Sequence, residues 1–237
     1  MSKKILLTGM VALLAAQAFA LDCKGVSLQT LRKHMPFIPE SAQIVLKQER
    51  LGGMCEVVVQ DKGIRPVVLY VGDDFVLGGV LFSNGQNLSL QTLAFVEQEE
   101  MKKLLPELES LVSAEYGKGD KWVYFISDPD CPFCEGIKKK VAQLAQERNY
   151  KVKLIFFPLS IHPGADKKAV SFICEKRTFE DYLKSSYGNT FCEEGRAKVS
   201  KASEKLSSLV SGTPTFIFYD GRKLEGGNPQ ALEDFMR

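Results

Sequence analysis

Cys131 and Cys134 stand three positions apart in the stretch SDPDCPFCEG (residues 127–136), directly after the apolar run WVYFI. Two thiols at that spacing could be half of a zinc site, a small structural cross-link or a working redox couple. Zinc takes about four ligands, usually as two short-spaced pairs. This chain has one C-x-x-C, Cys174 and Cys192 are 18 positions apart, and the only histidines are His34 and His162. A purely structural bridge across so small a loop gains little by closing. The redox couple is the reading that the setting favours.

That setting is a strand followed by a helix. A helix that starts at Pro132 puts proline in the first helical position, where its missing N–H costs nothing. Cys131 then stands at the N-cap, where its sulfur can accept hydrogen bonds from the free N–H groups of Phe133 and Cys134 and feels the positive end of the helix dipole. Both effects favour thiolate over thiol, and lowering a thiol pKa from about 8.5 to about 7 takes about 2 kcal/mol. Ile137, Val141, Leu144 and Ala145 fall on one helical stripe with Cys134 at its start, so Cys134 is expected to face the core and Cys131 the solvent. The exposed thiolate would attack a substrate disulfide, and the buried thiol would later resolve the mixed disulfide. The lysines at 138–140 read as a solvated face of this helix, with Glu135 and Lys139 an i,i+4 pair.

A second element lies about 80 residues downstream. Ser211-Gly212-Thr213-Pro214-Thr215 stands just ahead of the apolar strand FIFY. Proline at the entry of a central strand is unusual unless it turns the chain, often through a cis peptide bond. Such a turn would leave the Thr213 backbone carbonyl and N–H available to an extended substrate chain. Alone, G-T-P is a weak signal; beside strand-CPFC-helix it is strong.

The elements that must position these groups can be read from periodicity and turns. Residues 23–36 read as a short helix, with Leu28, Leu31 and Met35 on one face. Strand-like runs follow at 43–48, 54–60, 66–71 and 75–82, joined by Gly52-Gly53, Asp61-Lys62-Gly63 and Gly72-Asp73-Asp74, an antiparallel meander with Asn84-Gly85 beyond it. Pro66 belongs at a strand start or on an edge. From Leu90 to about Tyr116 the pattern is helical and charged and reads as a solvated connector, and Pro106 predicts two helices or a kink near Leu105. Then comes strand 122–127, a helix from about 132 to 148, strand 152–158 and a helical stretch from about Ala165 to Val210. Strand 215–219 is joined by Asp220-Gly221 to 222–226, and a short helix from Gln230 closes an α/β layer architecture.

Residues 1–20 have the layout of a secretory signal peptide: Lys3 and Lys4, an uncharged apolar stretch, then Ala18-Phe19-Ala20. Cleavage after Ala20 and export to an oxidising compartment, the periplasm, are expected. The uncharged stretch, Ile5 to Leu21, is at the lower edge of what spans a bilayer. The remaining 217 residues carry 29 basic and 29 acidic side chains, which gives no reason to expect nucleic acid as a partner. All six cysteines survive cleavage, and six cysteines allow 15 full pairings.

From about Trp122 to Arg237 the chain resembles a thioredoxin fold, with CPFC as its C-x-x-C and Thr213-Pro214 as its cis-proline loop. With a helical insert (about 165–210) bearing a cysteine pair, a β-rich N-terminal section and a connector, nearly the whole chain after residue 20 resembles the periplasmic DsbC/DsbG disulfide isomerase family. The resemblance implies a cystatin-like α+β dimerisation domain over 21–95, a connector helix over 96–115 and a thioredoxin-like catalytic domain over 116–237. It also implies a V-shaped homodimer with an apolar cleft. By motif, Cys131 is the nucleophile, Cys134 the resolving thiol, and Thr213 and Pro214 line the substrate site beside Pro132 and Phe133. The family's structural disulfide in the insert matches Cys174 with Cys192. Pro132-Phe133 is closer to the DsbG type than to the Gly-Tyr of DsbC. Cys23 and Cys55 are not part of the family's main pattern; they are expected to pair with each other, closing a loop worth about 3–4 kcal/mol.

The expected function is that of an exported thiol–disulfide oxidoreductase that isomerises or reduces non-native disulfides in misfolded or oxidised exported proteins. It needs no metal or organic cofactor, and a membrane reductase of the DsbD type would restore its dithiol. The alternatives are a DsbA-like dithiol oxidase and a chaperone or sulfenic-acid reductase of the DsbG type.

Overall fold

The computed structural model describes residues 22–62 and 64–237. The expected signal peptide lies outside them. The chain divides into two compact units between Leu93 and Ala94.

In the first unit a 3₁₀ turn, Cys23–Gly25, precedes helix α1, Leu28–His34. Ser27 caps α1 by accepting the Thr30 N–H at 3.2 Å, which satisfies one of the free first-turn donors. Strands β1 (Gln43–Glu49), β2 (Cys55–Gln60), β3 (Val67–Val71) and β4 (Val76–Gly78) form an antiparallel sheet in chain order, the expected meander. The run 75–82 is not one strand. It breaks after Gly78-Gly79, because adjacent glycines offer no side chain to pack, and Phe82–Ser83 (β5) pairs instead with Gln86–Asn87 (β6). Asn84 and Gly85 both have positive φ there, as a tight hairpin turn requires. One sheet face buries Val57, Val59, Leu69 and Val71 against Val26 and Leu31, and a disulfide joins Cys23 to Cys55. The buried Glu56 carboxylate accepts from Arg50 Nε at 2.8 Å, Tyr70 Oη at 3.0 Å and Thr92 Oγ1 at 2.9 Å.

Thr92 lies on helix α2, Leu88–Glu109. This is one element, not two, and Pro106 lies inside its last turn. Nor is its second half a solvated connector. Met101, Leu105 and Leu108 are buried against Tyr124, Ile126, Ile155 and Ile217. Residues Ala114–Tyr116, expected as the helical end of the connector, form strand β7 instead.

The second unit has a five-stranded sheet ordered β11-β10-β8-β9-β7. Here β8 is Lys121–Ser127, β9 Tyr150–Phe156, β10 Thr215–Phe218 and β11 Lys223–Glu225. Strands β8 and β9 are parallel and joined by helix α3, Pro132–Glu147, while the other pairs are antiparallel. The insert carries α4 (Ala165–Cys174), α5 (Phe179–Leu183) and α6 (Glu193–Leu206), and α7 (Pro229–Phe235) follows β11. A disulfide joins Cys174 at the end of α4 to Cys192 at the N-cap of α6. Side chains alternate along β8: Val123 and Phe125 pack toward α3, α4 and α5, whereas Tyr124 and Ile126 pack toward α2. That alternation buries both faces and makes a three-layer α/β domain of thioredoxin type, joined to a smaller α+β domain.

Candidate active site

The site forms where β8 ends and α3 begins. Ser127 closes the strand, Asp128-Pro129-Asp130 turn the chain, and Cys131 is the N-cap with Pro132 in the first helical position. The turn is held from several sides. Asp128 Oδ1 accepts the Asp130 N–H at 2.7 Å, and Oδ2 accepts the Leu159 N–H at 2.7 Å and lies 2.8 Å from His162 Nδ1. Tyr187 Oη donates to the Pro129 carbonyl at 3.3 Å, and Lys168 pairs with Asp130.

The cap differs from the expectation in one respect. Cys131's carbonyl accepts the Glu135 N–H at 3.0 Å, opening the helix, but its sulfur makes no hydrogen bond to the first-turn amides. The thiol instead donates to the Thr213 carbonyl oxygen at 3.4 Å. Thr213-Pro214 is a cis peptide, so the two motifs meet at that contact. The Thr213 carbonyl, expected to stand open for a substrate chain, is occupied by the thiol.

Cys131 is also not solvent-facing: it is 4% exposed, against 1% for Cys134. What projects is Phe133, at 71%. The backbone after β11 closes on this tip. The Gly226 N–H donates to the Pro214 carbonyl at 2.8 Å, and a Cβ on Gly227 would lie 3.3 Å from the Phe133 carbonyl oxygen and 3.5 Å from Pro214 Cγ.

Cys134 sits on the buried stripe of α3, as its spacing predicts. Burial pushes its thiol up to about 12, against a weaker pull from the Ser127 hydroxyl and the Asp128 backbone. Removing the charged form from water is the dominant cost. Cys134 therefore holds its proton until the chemistry demands otherwise.

Lys138 corrects the sequence reading. It is fully buried, not on a solvated face: its ammonium donates to Glu135 Oε2 at 2.5 Å, Ser185 Oγ at 2.6 Å and the Tyr182 carbonyl at 3.1 Å. Its position four residues after Cys134 places it on the inward stripe, a signal that was available. Ser127, Tyr182, Asp128 and His162 carry no comparable local signal, since their pairings are tertiary. The disulfides Cys23–Cys55 and Cys174–Cys192 match the expected pairings and leave Cys131 and Cys134 as free thiols.

The model of the thioredoxin-like domain matches residues 112–236. Similar solved structures include DsbG of Helicobacter pylori, 20% identical over 75% of this chain and 94% of that one, with a TM-score of 0.43. A disulfide interchange protein of Neisseria gonorrhoeae is 25% identical over 52% of this chain and 91% of its own, with a TM-score of 0.42. A linker-deletion variant of Proteus mirabilis ScsC is 16% identical over 63% and 86%, with a TM-score of 0.46. No curated protein matches. The family model spans more than half of the chain and its match contains both CPFC and the Thr213-Pro214 loop: the chain belongs to the thioredoxin-like domain family.

Proposed function

We propose that this protein isomerises or reduces non-native disulfides in exported proteins, with Cys131 as nucleophile and Cys134 as resolving thiol. One observation carries the reading: the free dithiol stands at a helix tip against the cis-proline loop, while the other four cysteines are bonded in pairs. Cys131, as thiolate, attacks one sulfur of a substrate disulfide. That S–S bond breaks, a Cys131–substrate bond forms, and the other substrate sulfur leaves as a thiolate. The released thiolate can attack a second disulfide of the same substrate, forming a new S–S bond and displacing another thiolate, which attacks the substrate sulfur of the mixed disulfide, completes isomerisation and expels Cys131 as its thiolate. Alternatively, deprotonated Cys134 attacks Cys131 Sγ, the substrate leaves as thiol, and the enzyme's own disulfide must then be reduced by a membrane reductase.

The exposed Phe133 offers apolar contact to an unfolded chain at the site. In the first unit β4 is an edge strand, and Val67, Phe75, Leu77, Val80 and Phe82 are exposed. Apolar side chains on an exposed sheet edge suit burial against a second copy, which supports a homodimer through this unit. Export to the periplasm rests on residues 1–20.

Refolding of a scrambled-disulfide substrate, beside a mass measurement in solution, tests the reading. A dimer that reactivates the substrate supports it. A monomer that rapidly oxidises reduced chains supports a dithiol oxidase. Full activity in Cys131→Ala would make the protein a chaperone.

A further inference from the structure

The sheet of the second unit brings three chain segments to one end. Strands β8 and β9 are parallel, with Ser127 opposite Phe156, so the loops that leave them emerge side by side. Strand β10 lies on the other side of β8, runs antiparallel to it, and is entered at that same end from Thr213-Pro214. Cys131 therefore stands between the cis-proline loop and the loop after β9, residues 157–164. Sites in such sheets form outside the carboxyl ends of the parallel strands. Both flanks of Cys131 are there, and only the cis-proline flank touches the thiol in this structure.

The β9 flank is tied down. The His162 N–H donates to the Leu159 carbonyl at 3.0 Å, closing a four-residue turn with Ile161 in its middle. Both ends of that turn reach one oxygen: Asp128 Oδ2 accepts the Leu159 N–H at 2.7 Å and lies 2.8 Å from His162 Nδ1. The same buried residue shapes the approach to the nucleophile. Its Oδ1 accepts the Asp130 N–H at 2.7 Å, and its carbonyl accepts the Cys131 N–H at 3.2 Å. One residue thus fixes the Ile161 turn relative to Cys131. Ile161 is 74% exposed, more than any other large apolar side chain of the second unit, and Phe133 comes next. Phe133 belongs to the opposite flank: a Cβ on Gly227 would lie 3.5 Å from both Phe133 Cβ and Pro214 Cγ. The acids beside the two cysteines, Asp130 and Glu135, are paired with Lys168 and Lys138, which leaves the flanks suited to uncharged contacts. Holding an exposed apolar side chain on a fixed turn removes in advance part of the ordering cost of a contact.

We propose that Ile161 is a specificity-determining residue. With Phe133 on the far flank, it takes an apolar side chain adjoining the substrate's reactive cysteine, so that Cys131 prefers disulfides set among apolar residues. Side chains of that kind are mostly buried in a correctly folded protein, so the contact steers Cys131 toward chains that expose them. This role rests on the reading of Cys131 and Cys134 as an exchanging dithiol.

The test is reduction, by the reduced protein, of two symmetrical disulfides, each a dimer of a short peptide with a single cysteine. The peptides are identical except for leucine or serine on both sides of that cysteine. In each turnover the peptide disulfide is reduced to two peptide thiols and the dithiol is oxidised to a Cys131–Cys134 disulfide. Rates are divided by those of the same peptides with dithiothreitol, which has no flanks to offer. The parent should prefer the leucine peptide about tenfold, somewhat less than full burial of one leucine side chain would give. Ile161→Ser, at an exposed position where the fold is little affected, should cut that preference at least about threefold. The cut should come through a higher KM for the leucine peptide, with kcat kept, and Ile161→Leu should retain the parent's preference. A parent preference under about threefold, or a smaller cut in Ile161→Ser, overturns the proposal while the exchange chemistry stands. A parent that reduces neither peptide overturns the functional reading, and the specificity with it.

Discussion

Isolating Cys134 by the substitution Cys131→Ala makes the consequence of its burial measurable. Burial is the leading reason its thiol is pushed up to about 12, and the Ser127 hydroxyl and Asp128 backbone offset only part of that. At about pH 7 such a thiol is ionised about 10⁻⁵ of the time, against about 3% for a free cysteine at about 8.5. Since the thiolate is the nucleophile, alkylation should run up to about 3,000-fold slower than for free cysteine before any hindrance from packing, less whatever part of the upward push comes from Cys131, which the variant lacks. The assay is iodoacetamide modification followed by intact mass from about pH 7 to about pH 10. The rate should climb about tenfold per pH unit without levelling, and unfolding the protein in guanidinium should return it to the free-cysteine value. A folded-state rate within about tenfold of free cysteine at neutral pH, or a plateau below about pH 10, would refute the claim that desolvation governs this sulfur.

The same raised thiol must appear in stability. The group binds its proton more tightly when folded, so its contribution is complete below about pH 8.5 and is lost as pH rises toward about 12. The stability of Cys131→Ala relative to Cys131→Ala/Cys134→Ala should fall by about 1.4 kcal/mol per pH unit in that window, and a flat difference would contradict it. In the first unit, Glu56→Ala leaves Arg50, Tyr70 and Thr92 facing a void. It should cost about 3–5 kcal/mol in denaturant unfolding, and a loss under about 1 kcal/mol would show that the cluster is not a single network. Glu175 is held down at about 2 by the Asn189 and Thr190 N–H groups, so its hold on the loop before Cys192 is present above about pH 4.5 and lost as pH falls toward about 2. Glu175→Gln should therefore speed amide exchange at Asn189 and Thr190 at neutral pH, and unchanged protection would refute that anchoring role.

Much of the catalytic half was legible because its signals are local. Proline at the first position of α3, the apolar stripe behind it and the Asp220-Gly221 turn are each read within a few residues. The G-T-P turn was weak by itself and gained meaning only from its pairing with CPFC. Burial of Cys131 was not legible, since its contact with the Thr213 carbonyl comes from 82 residues away. Lys138 was misread because its charge outweighed its place on the inward stripe. Helix α2 was misread for a related reason: its charged residues masked Met101, Leu105 and Leu108, which pack on the sheet. Pairings such as Ser127 with Tyr182, 55 residues apart, leave no mark in periodicity at all.

The central claim, that Cys131 attacks and Cys134 resolves, is tested most directly by trapping the intermediate. Reduced Cys134→Ala, mixed with a disulfide-bonded protein substrate and mapped by mass spectrometry, should accumulate a mixed disulfide on Cys131, whereas the parent releases it and Cys131→Ala forms none. A stable adduct on Cys134 in Cys131→Ala, or none on Cys131 in Cys134→Ala, would contradict the account.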